Sequence, residues 1–253
     1  MDLITSLLLG VLQGLTEWLP VSSSGHLALA QHYFGVSAPI AFDVLLHFGT
    51  LLAVIAYFRK DIYEMASDAL AGKIAYPSYL LLAMIPTALV GFSLKGYFES
   101  MFSQPMLVAC ALVITGAFLY ASQWLFSGKR SPGVRSSLLI GIAQGFAVAP
   151  GISRSGATIS MGLLSVLTRR EAARFSFLLS IPAILGATAL EGTKALSFTG
   201  LSIEVILAGI IAAALVGYAC IGLLLQFVEQ GKLHYFSAYC FALAALVFAV
   251  EVF

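Results

Sequence analysis

Glu17-Trp18-Leu19-Pro20-Val21-Ser22-Ser23-Ser24-Gly25-His26 cuts across an apolar stretch that runs from residue 3 to residue 34. A second apolar stretch, 136–168, is cut in the same way by Ala149-Pro150-Gly151-Ile152-Ser153-Arg154-Ser155-Gly156. Each half is only about 12–15 residues long, whereas a helix needs about 20 to cross a bilayer. Two half-length helices around a polar, Pro/Gly/Ser-rich break describe a re-entrant hairpin. The competing description is a single kinked span.

The rest of the chain says which solvent these hairpins sit in. Of 253 residues, 60% are apolar and 10% are charged, against roughly 25% charged in soluble domains. A soluble fold of this size could not bury so much apolar side chain. The apolar runs do not alternate with polar residues, which excludes a membrane barrel and leaves helices. Six further segments are long enough to span: 40–58, 76–94, 105–126, 175–190, 203–226 and 235–253. The fourth is short and contains Pro182, which predicts a kink or tilt. Asp2 stands where a signal peptide would carry basic residues, so none is expected. Cys110, Cys220 and Cys240 lie inside apolar runs without metal-ligand spacing and read as core or lipid-facing residues. The net charge of +1 names no partner.

The two hairpins resemble each other. A gap-free shift lays Leu7, Leu8, Gly10, Gln13, Gly14, Ser22, Ser24 and Gly25 on Leu138, Leu139, Gly141, Gln144, Gly145, Ser153, Ser155 and Gly156. Phe42, Leu45 and Leu46 match Phe175, Leu178 and Leu179 more weakly. An internal duplication follows, with units of about 1–127 and 128–253, each a hairpin plus three spans. With hairpins that return to their side of entry, Arg59, Lys60, Lys73, Lys129, Arg130, Arg135, Arg169, Arg170, Arg174 and Lys232 fall on one side. Only Lys95 and Lys194 fall on the other, so the first side is expected to be cytoplasmic. Eight full spans would scatter these charges. Three spans per unit is an odd number, so the units have inverted topology and their breaks meet near the midplane. The fold expected is thus all-α and polytopic, with six transmembrane helices and two re-entrant hairpins in two inverted repeats. Gly10-x-x-x-Gly14 and Gly141-x-x-x-Gly145 read as close helix contacts.

Charged residues in the middle of apolar segments cost about 2.5–3.5 kcal/mol each on insertion scales. Glu17, His26 and Arg154 are such residues. A structural Glu17–Arg154 ion pair is the plain explanation, but it leaves the surrounding serines and glycines unused. New half-helices begin near Ser23 and Arg154, and helix N-termini attract anions. Ser22, Ser23, Ser24, Ser153 and Ser155 add hydroxyls, and Gly25 and Gly156 allow close backbone approach. Any one of these serines is more simply an N-cap; the cluster facing a guanidinium suits phosphate. His26 lies one helical turn after Ser23, within reach to activate its hydroxyl. Glu17 would repel phosphate unless a hard cation such as Mg²⁺ or Ca²⁺ lay between them, or it could serve without metal as a proton acceptor. Asp43 and His47, one turn apart, are read as a supporting or a structural pair.

The segment Gln13–His26 resembles the first signature of the bacitracin-resistance family of undecaprenyl-diphosphate phosphatases, and Pro150-Gly-Ile-Ser-Arg154-Ser-Gly-Ala-Thr158-Ile resembles the second. Phe42-Asp-Val-Leu-Leu-His-Phe-Gly-Thr50 and Phe175-Ser-Phe-Leu-Leu-Ser-Ile-Pro182 extend the likeness along nearly the whole chain. The resemblance implies hydrolysis of undecaprenyl diphosphate to the monophosphate and inorganic phosphate, which recycles the lipid carrier of cell-wall synthesis. It implies a divalent cation, Mg²⁺ or Ca²⁺, and a site open to the outer face of the bacterial cytoplasmic membrane. By motif position, Glu17, Ser23, His26 and Arg154 are the catalytic candidates. Ser22, Ser24, Gly25, Ser153, Ser155, Gly156 and Thr158 surround the phosphate, and Glu17, with Gln13, is the candidate metal ligand. Many members have glutamate where Gln13 stands, which puts a two-carboxylate metal site in doubt. The partners implied are the polyprenyl diphosphate and membrane lipids, with no nucleic acid; a homodimer is compatible. The rival function is a polyprenyl-phosphate flippase or transporter, which shares broken helices and a midplane anion site.

Overall fold

A computed structural model describes residues 1–36, 40–124, 128–198 and 201–252, with Ile40 and residues 191–198 described by their backbone. The described residues form twelve α-helices: α1 Leu3–Trp18, α2 Ser23–Tyr33, α3 Ile40–Tyr57, α4 Arg59–Leu70, α5 Ala75–Ser93, α6 Lys95–Met101, α7 Pro105–Ala121, α8 Val134–Phe146, α9 Arg154–Leu164, α10 Arg169–Phe198, α11 Ile203–Glu229 and α12 Tyr235–Val252. Ala75–Ser93, Pro105–Trp124, Arg169–Leu190, Ile203–Glu229 and Tyr235–Val252 are each long and apolar enough to cross a membrane. A sixth is counted when α3 is joined to α4, from which it bends by 71°. Ile4, Leu81, Leu215 and Leu246 each expose at least 60% of their surface, as side chains facing lipid would. Of the cysteines, Cys220 and Cys240 are buried and Cys110 is exposed, all as free thiols.

Both expected breaks are present. α1 starts where the Asp2 carboxylate caps the Thr5 N–H at 2.8 Å. It stops because Leu19 precedes proline and is driven to extended backbone (φ −63°, ψ 144°). At 16 and 11 residues, α1 and α2 rise only ~24 and ~17 Å, less than the ~30 Å of a hydrocarbon core. α8 and α9, with 13 and 11 residues, are equally short.

The fourth span is longer than expected. α10 runs 30 residues without interruption through Pro182, instead of 175–190. Arg169, Arg170 and Arg174 fall outside an apolar window, so hydropathy trims the helix although its backbone continues. α4 and α6 were hidden for the same reason: their charged sequences carry no span signal. Arg174 ties α10 to α4, its Nε donating to the Asp61 carboxylate at 2.6 Å. Residues 125–126 and 253, at the ends of two expected spans, and the side chain of Lys194 lie outside the described residues.

The packing is crossed. α1 lies along α11 and α8 lies along α5, so each first half-helix rests on a long helix from the other half of the chain. α3 packs on α10 and α11, and α7 on α12. The glycines at the two crossings explain the close approach. A Cβ on Gly10 would stand 2.4 Å from the Gly209 carbonyl oxygen, and one on Gly141 would stand 2.1 Å from that of Ala83. Gly141→Ala therefore has to push α8 off α5. Overpacking costs about 1–3 kcal/mol, more than the ≤1 kcal/mol that alanine gains as a helix former. The expected result is a lowered thermal midpoint in detergent; an unchanged midpoint would show that the contact yields.

Candidate active site

Three donors and one imidazole nitrogen converge on one buried carboxylate. Glu17, at the end of α1, is 7% exposed. Its Oε1 accepts from Arg154 Nη2 at 2.8 Å. Its Oε2 accepts from Ser23 Oγ at 2.5 Å and from Gln13 Nε2 at 3.1 Å. His47 Nε2 approaches the same oxygen at 3.5 Å. Arg154 also lies 5.1 Å over the Trp18 ring, which is fully buried and packs on Phe177. The structure thus brings together three of the catalytic candidates, Glu17, Ser23 and Arg154, from both sequence motifs.

The two breaks are held to each other by Ser22. Its φ of 70° is rare for a residue with a side chain, and such strain costs on the order of 1–3 kcal/mol unless the surroundings fix it. Here they do. Ser22 Oγ accepts from the Gly25 N–H at 3.3 Å, capping α2, and from the Gly151 N–H of the other break at 3.0 Å. Ser24 Oγ lies 3.4 Å away. Gly25 permits the approach, since a Cβ there would sit 2.9 Å from the Gly151 nitrogen. In the second break Ser153 Oγ caps α9 by accepting from the Gly156 N–H at 3.1 Å. Thr115, from α7, braces the same turn by donating to the Gly151 carbonyl at 2.7 Å and accepting from the Ser153 N–H at 3.0 Å.

Other expectations need correcting. His26 does not reach Ser23. A carbonyl oxygen can only accept, so Nδ1 carries the hydrogen it donates to the Ser22 carbonyl at 2.7 Å. In the neutral ring Nε2 then accepts, and the Tyr239 hydroxyl donates to it at 2.6 Å. The base nearest Ser23 is Glu17. Ser155 and Thr158 are fully buried, and their hydroxyls are engaged internally. Ser155 Oγ donates to the Leu19 carbonyl at 3.4 Å, and Thr158 Oγ1 to the Arg154 carbonyl at 2.7 Å while sharing a 2.5 Å contact with Ser176 Oγ. Both steady the break rather than line it. Asp43 and His47 meet through the main chain. His47 Nδ1 donates to the Asp43 carbonyl at 2.7 Å, and the Asp43 carboxylate accepts from Gln31 Nε2 at 2.9 Å on each oxygen. His47 therefore presents Nε2 to Glu17. Its place in the site was open in the sequence because helix rotation was unknown. Thr115 and Tyr239 carried no signal at all.

Among the described residues no group of three or more His, Cys, Asp or Glu side chains could hold a metal ion. Among the described residues Glu17 is the one carboxylate at this cluster, and both its oxygens accept hydrogen bonds. Gln13 Oε1 is buried without a partner, but it is one neutral acceptor. These side chains offer a hard cation one carboxylate and one amide oxygen, so most of its coordination shell would have to come from water and substrate oxygens. An anion is better served. Arg154 Nη1 is a buried donor without a hydrogen-bond partner, beside the N-terminus of α9. Leaving such a donor unmade costs about 1–3 kcal/mol or more, a cost that an arriving phosphoryl oxygen would remove.

The family model described as "Bacitracin resistance protein BacA" matches residues 6–246. Proteins named undecaprenyl-diphosphatase are similar along their full length. That of Korarchaeum cryptofilum is 42% identical over 95% of this chain and 96% of its own length. That of Syntrophotalea carbinolica is 42% identical over 99% of this chain and all of its own. That of Desulfosudis oleivorans is 43% identical over 97% of each. With a matched model and relatives of this identity covering nearly every residue of a helical, multi-pass membrane chain, the protein belongs to the BacA family of undecaprenyl-diphosphatases.

Proposed function

We infer that this protein is an integral membrane phosphatase that hydrolyses undecaprenyl diphosphate to undecaprenyl phosphate and inorganic phosphate, recycling the lipid carrier for cell-wall synthesis. The observation that carries its site is the unpartnered Arg154 Nη1 beside the Glu17–Ser23 contact. Arg154 and the first turn of α9 hold the terminal phosphoryl group and spread its charge, usually the largest catalytic contribution. Ser23 Oγ attacks the terminal phosphorus and its proton passes to Glu17 Oε2. The bond from phosphorus to the bridging oxygen breaks, its electron pair leaves with undecaprenyl phosphate, and Glu17 returns the proton to that oxygen. Water then attacks the phosphoserine and gives a proton to Glu17; the Ser23–phosphorus bond breaks, phosphate leaves, and Ser23 recovers its hydrogen. In the alternative, water attacks directly and Ser23 only positions it. Acid quenching during turnover separates the two: trapped phosphoserine supports the first.

A divalent cation, Mg²⁺ or Ca²⁺, would reach this site on the diphosphate's own oxygens, since the side chains present offer it one carboxylate and one amide oxygen. The arrangement that suits the sequence duplication is two inverted units, about 1–127 and 128–253, with six spans and two re-entrant hairpins. The exchange of partners between α1–α11 and α8–α5 and the Ser22–Gly151 contact support it. The distribution of Lys and Arg favours a cytoplasmic membrane with both termini outside; the family resemblance suggests a site open to the outer face, and the polyprenyl tail would lie among the helices. Relatives from archaea, such as Korarchaeum cryptofilum, leave the source organism open.

The test is phosphate release from a polyprenyl diphosphate by the protein in detergent, with and without chelator. Release that needs a divalent cation is expected. Bound lipid without release under Mg²⁺ or Ca²⁺ would favour the flippase.

A further inference from the structure

Two neighbouring residues of α12 touch the first break, one on each side of it. The Cys240 thiol, fully buried, lies 3.8 Å from the Pro20 carbonyl oxygen. The Tyr239 hydroxyl donates to His26 Nε2 at 2.6 Å, and the two rings stack at 5.6 Å with 9° between their planes. The opposite nitrogen of His26 holds the Ser22 carbonyl at 2.7 Å. Ser22 is the residue with φ of 70°, its Oγ joins the two breaks, and Ser23 follows it. A continuous chain of contacts therefore runs from α12 through one imidazole to the strained residue that precedes the serine.

We propose that Tyr239 is a positioning residue: it orients His26, and His26 in turn fixes the Ser22 carbonyl and the first turn of α2 that carries Ser23. Tyr239 itself touches no reacting atom, because its hydroxyl is spent on His26. Stacking alone would allow the imidazole to slide in its own plane. The hydroxyl removes that freedom by satisfying the one lone pair that the neutral ring leaves open. Among the described residues the Ser22 carbonyl has no other side-chain donor, and the His26 main-chain N–H also bonds to it at 3.1 Å. Losing the imidazole orientation relaxes the break toward ordinary backbone and moves the serine away from the phosphorus. Displacements of about 1 Å from a productive geometry can cost as much as 10²-fold in rate.

The inference rests on the site assigned above, so the assay runs both questions together. Phosphate release from a polyprenyl diphosphate is measured for the full chain in detergent with Tyr239→Phe, His26→Phe and the double variant. Ser23→Ala and Arg154→Ala accompany them, and Tyr235→Phe on the same helix is the silent control. Tyr239→Phe keeps the stacked ring and removes the donor. The expected result is a kcat lower by about tenfold with KM within about twofold. It adds nothing in the His26→Phe background, because Tyr239 acts only through the imidazole. Where Tyr239→Phe lowers the thermal midpoint, Tyr239→Gln, which keeps a donor, recovers kcat. A kcat within twofold of wild type for Tyr239→Phe, full additivity with His26→Phe, or no recovery by glutamine overturns the proposal. Full turnover by Ser23→Ala and Arg154→Ala would instead overturn the site itself. A silent Tyr239→Phe beside inactive Ser23 and Arg154 variants removes Tyr239 alone.

Discussion

Arg154→Ala loses about three to five orders of magnitude in kcat/KM, the range over which a guanidinium stabilises a transferring phosphoryl group. The variant removes three things at once. The unpartnered Nη1 no longer waits for a phosphoryl oxygen, Nη2 no longer orients Glu17, and the guanidinium no longer covers Trp18. Arg154→Lys does not recover the activity, because one ammonium can face the carboxylate or the phosphate but cannot span both as a planar fork does. Stability separates the parts. Alanine leaves Glu17 as a buried charge without its main counter-ion, which typically costs about 3–5 kcal/mol. Adding Glu17→Gln to Arg154→Ala should restore much of the thermal midpoint and none of the turnover. Phosphate release and thermal melts in the same detergent give both readouts. A lysine variant that keeps more than about a tenth of wild-type kcat/KM would mean that Arg154 acts as a bare charge.

Ser23→Ala decides between the two chemical routes by the size of its effect. A serine that forms the covalent intermediate cannot be spared, and nucleophile removal in hydrolases of other kinds costs about 10⁶-fold in kcat. The expected loss here is about 10³-fold or more. Glu17→Gln, which keeps the shape and loses the proton acceptor, should fall by about 10²–10⁴-fold, the usual value of general base catalysis. If Ser23 only positions water, alanine can let a second water fill the space. A loss below about 10²-fold for Ser23→Ala beside a large loss for Glu17→Gln would establish direct attack by water.

Much of this site could be read from residue order because the bilayer makes polar residues expensive. Glu17 and Arg154 stand out in apolar surroundings, and each proves to be the other's partner at 2.8 Å. Pro20 and the Pro150-Gly151 pair mark backbone that cannot continue a helix, and both half-helices end there. What was not legible depends on rotation and on distant partners. His26 is spaced correctly from Ser23, yet its two nitrogens are claimed by a carbonyl four residues back and by Tyr239, 213 residues away. His47 was visible as a residue but not as a neighbour of Glu17, since nothing in an apolar helix fixes which face turns inward. The arginines at the start of α10 show the opposite failure: the charges that place a helix end on one side of the membrane also conceal how far the helix extends.

The crossed packing has a consequence for biosynthesis. α1, only 16 residues long with Glu17 in its last turn, leaves the ribosome well before α11. The helix it rests on, α11, includes Gly209, whose carbonyl meets Gly10. At ~5–20 residues per second, roughly 10–40 s of translation separate the two. Until α11 is made the first hairpin lacks the helix it rests on, and until α9 is made Glu17 lacks its counter-ion Arg154. Completion of the active centre is thus a late event, because the helix that carries Glu17 waits for α11 even after Arg154 has been made.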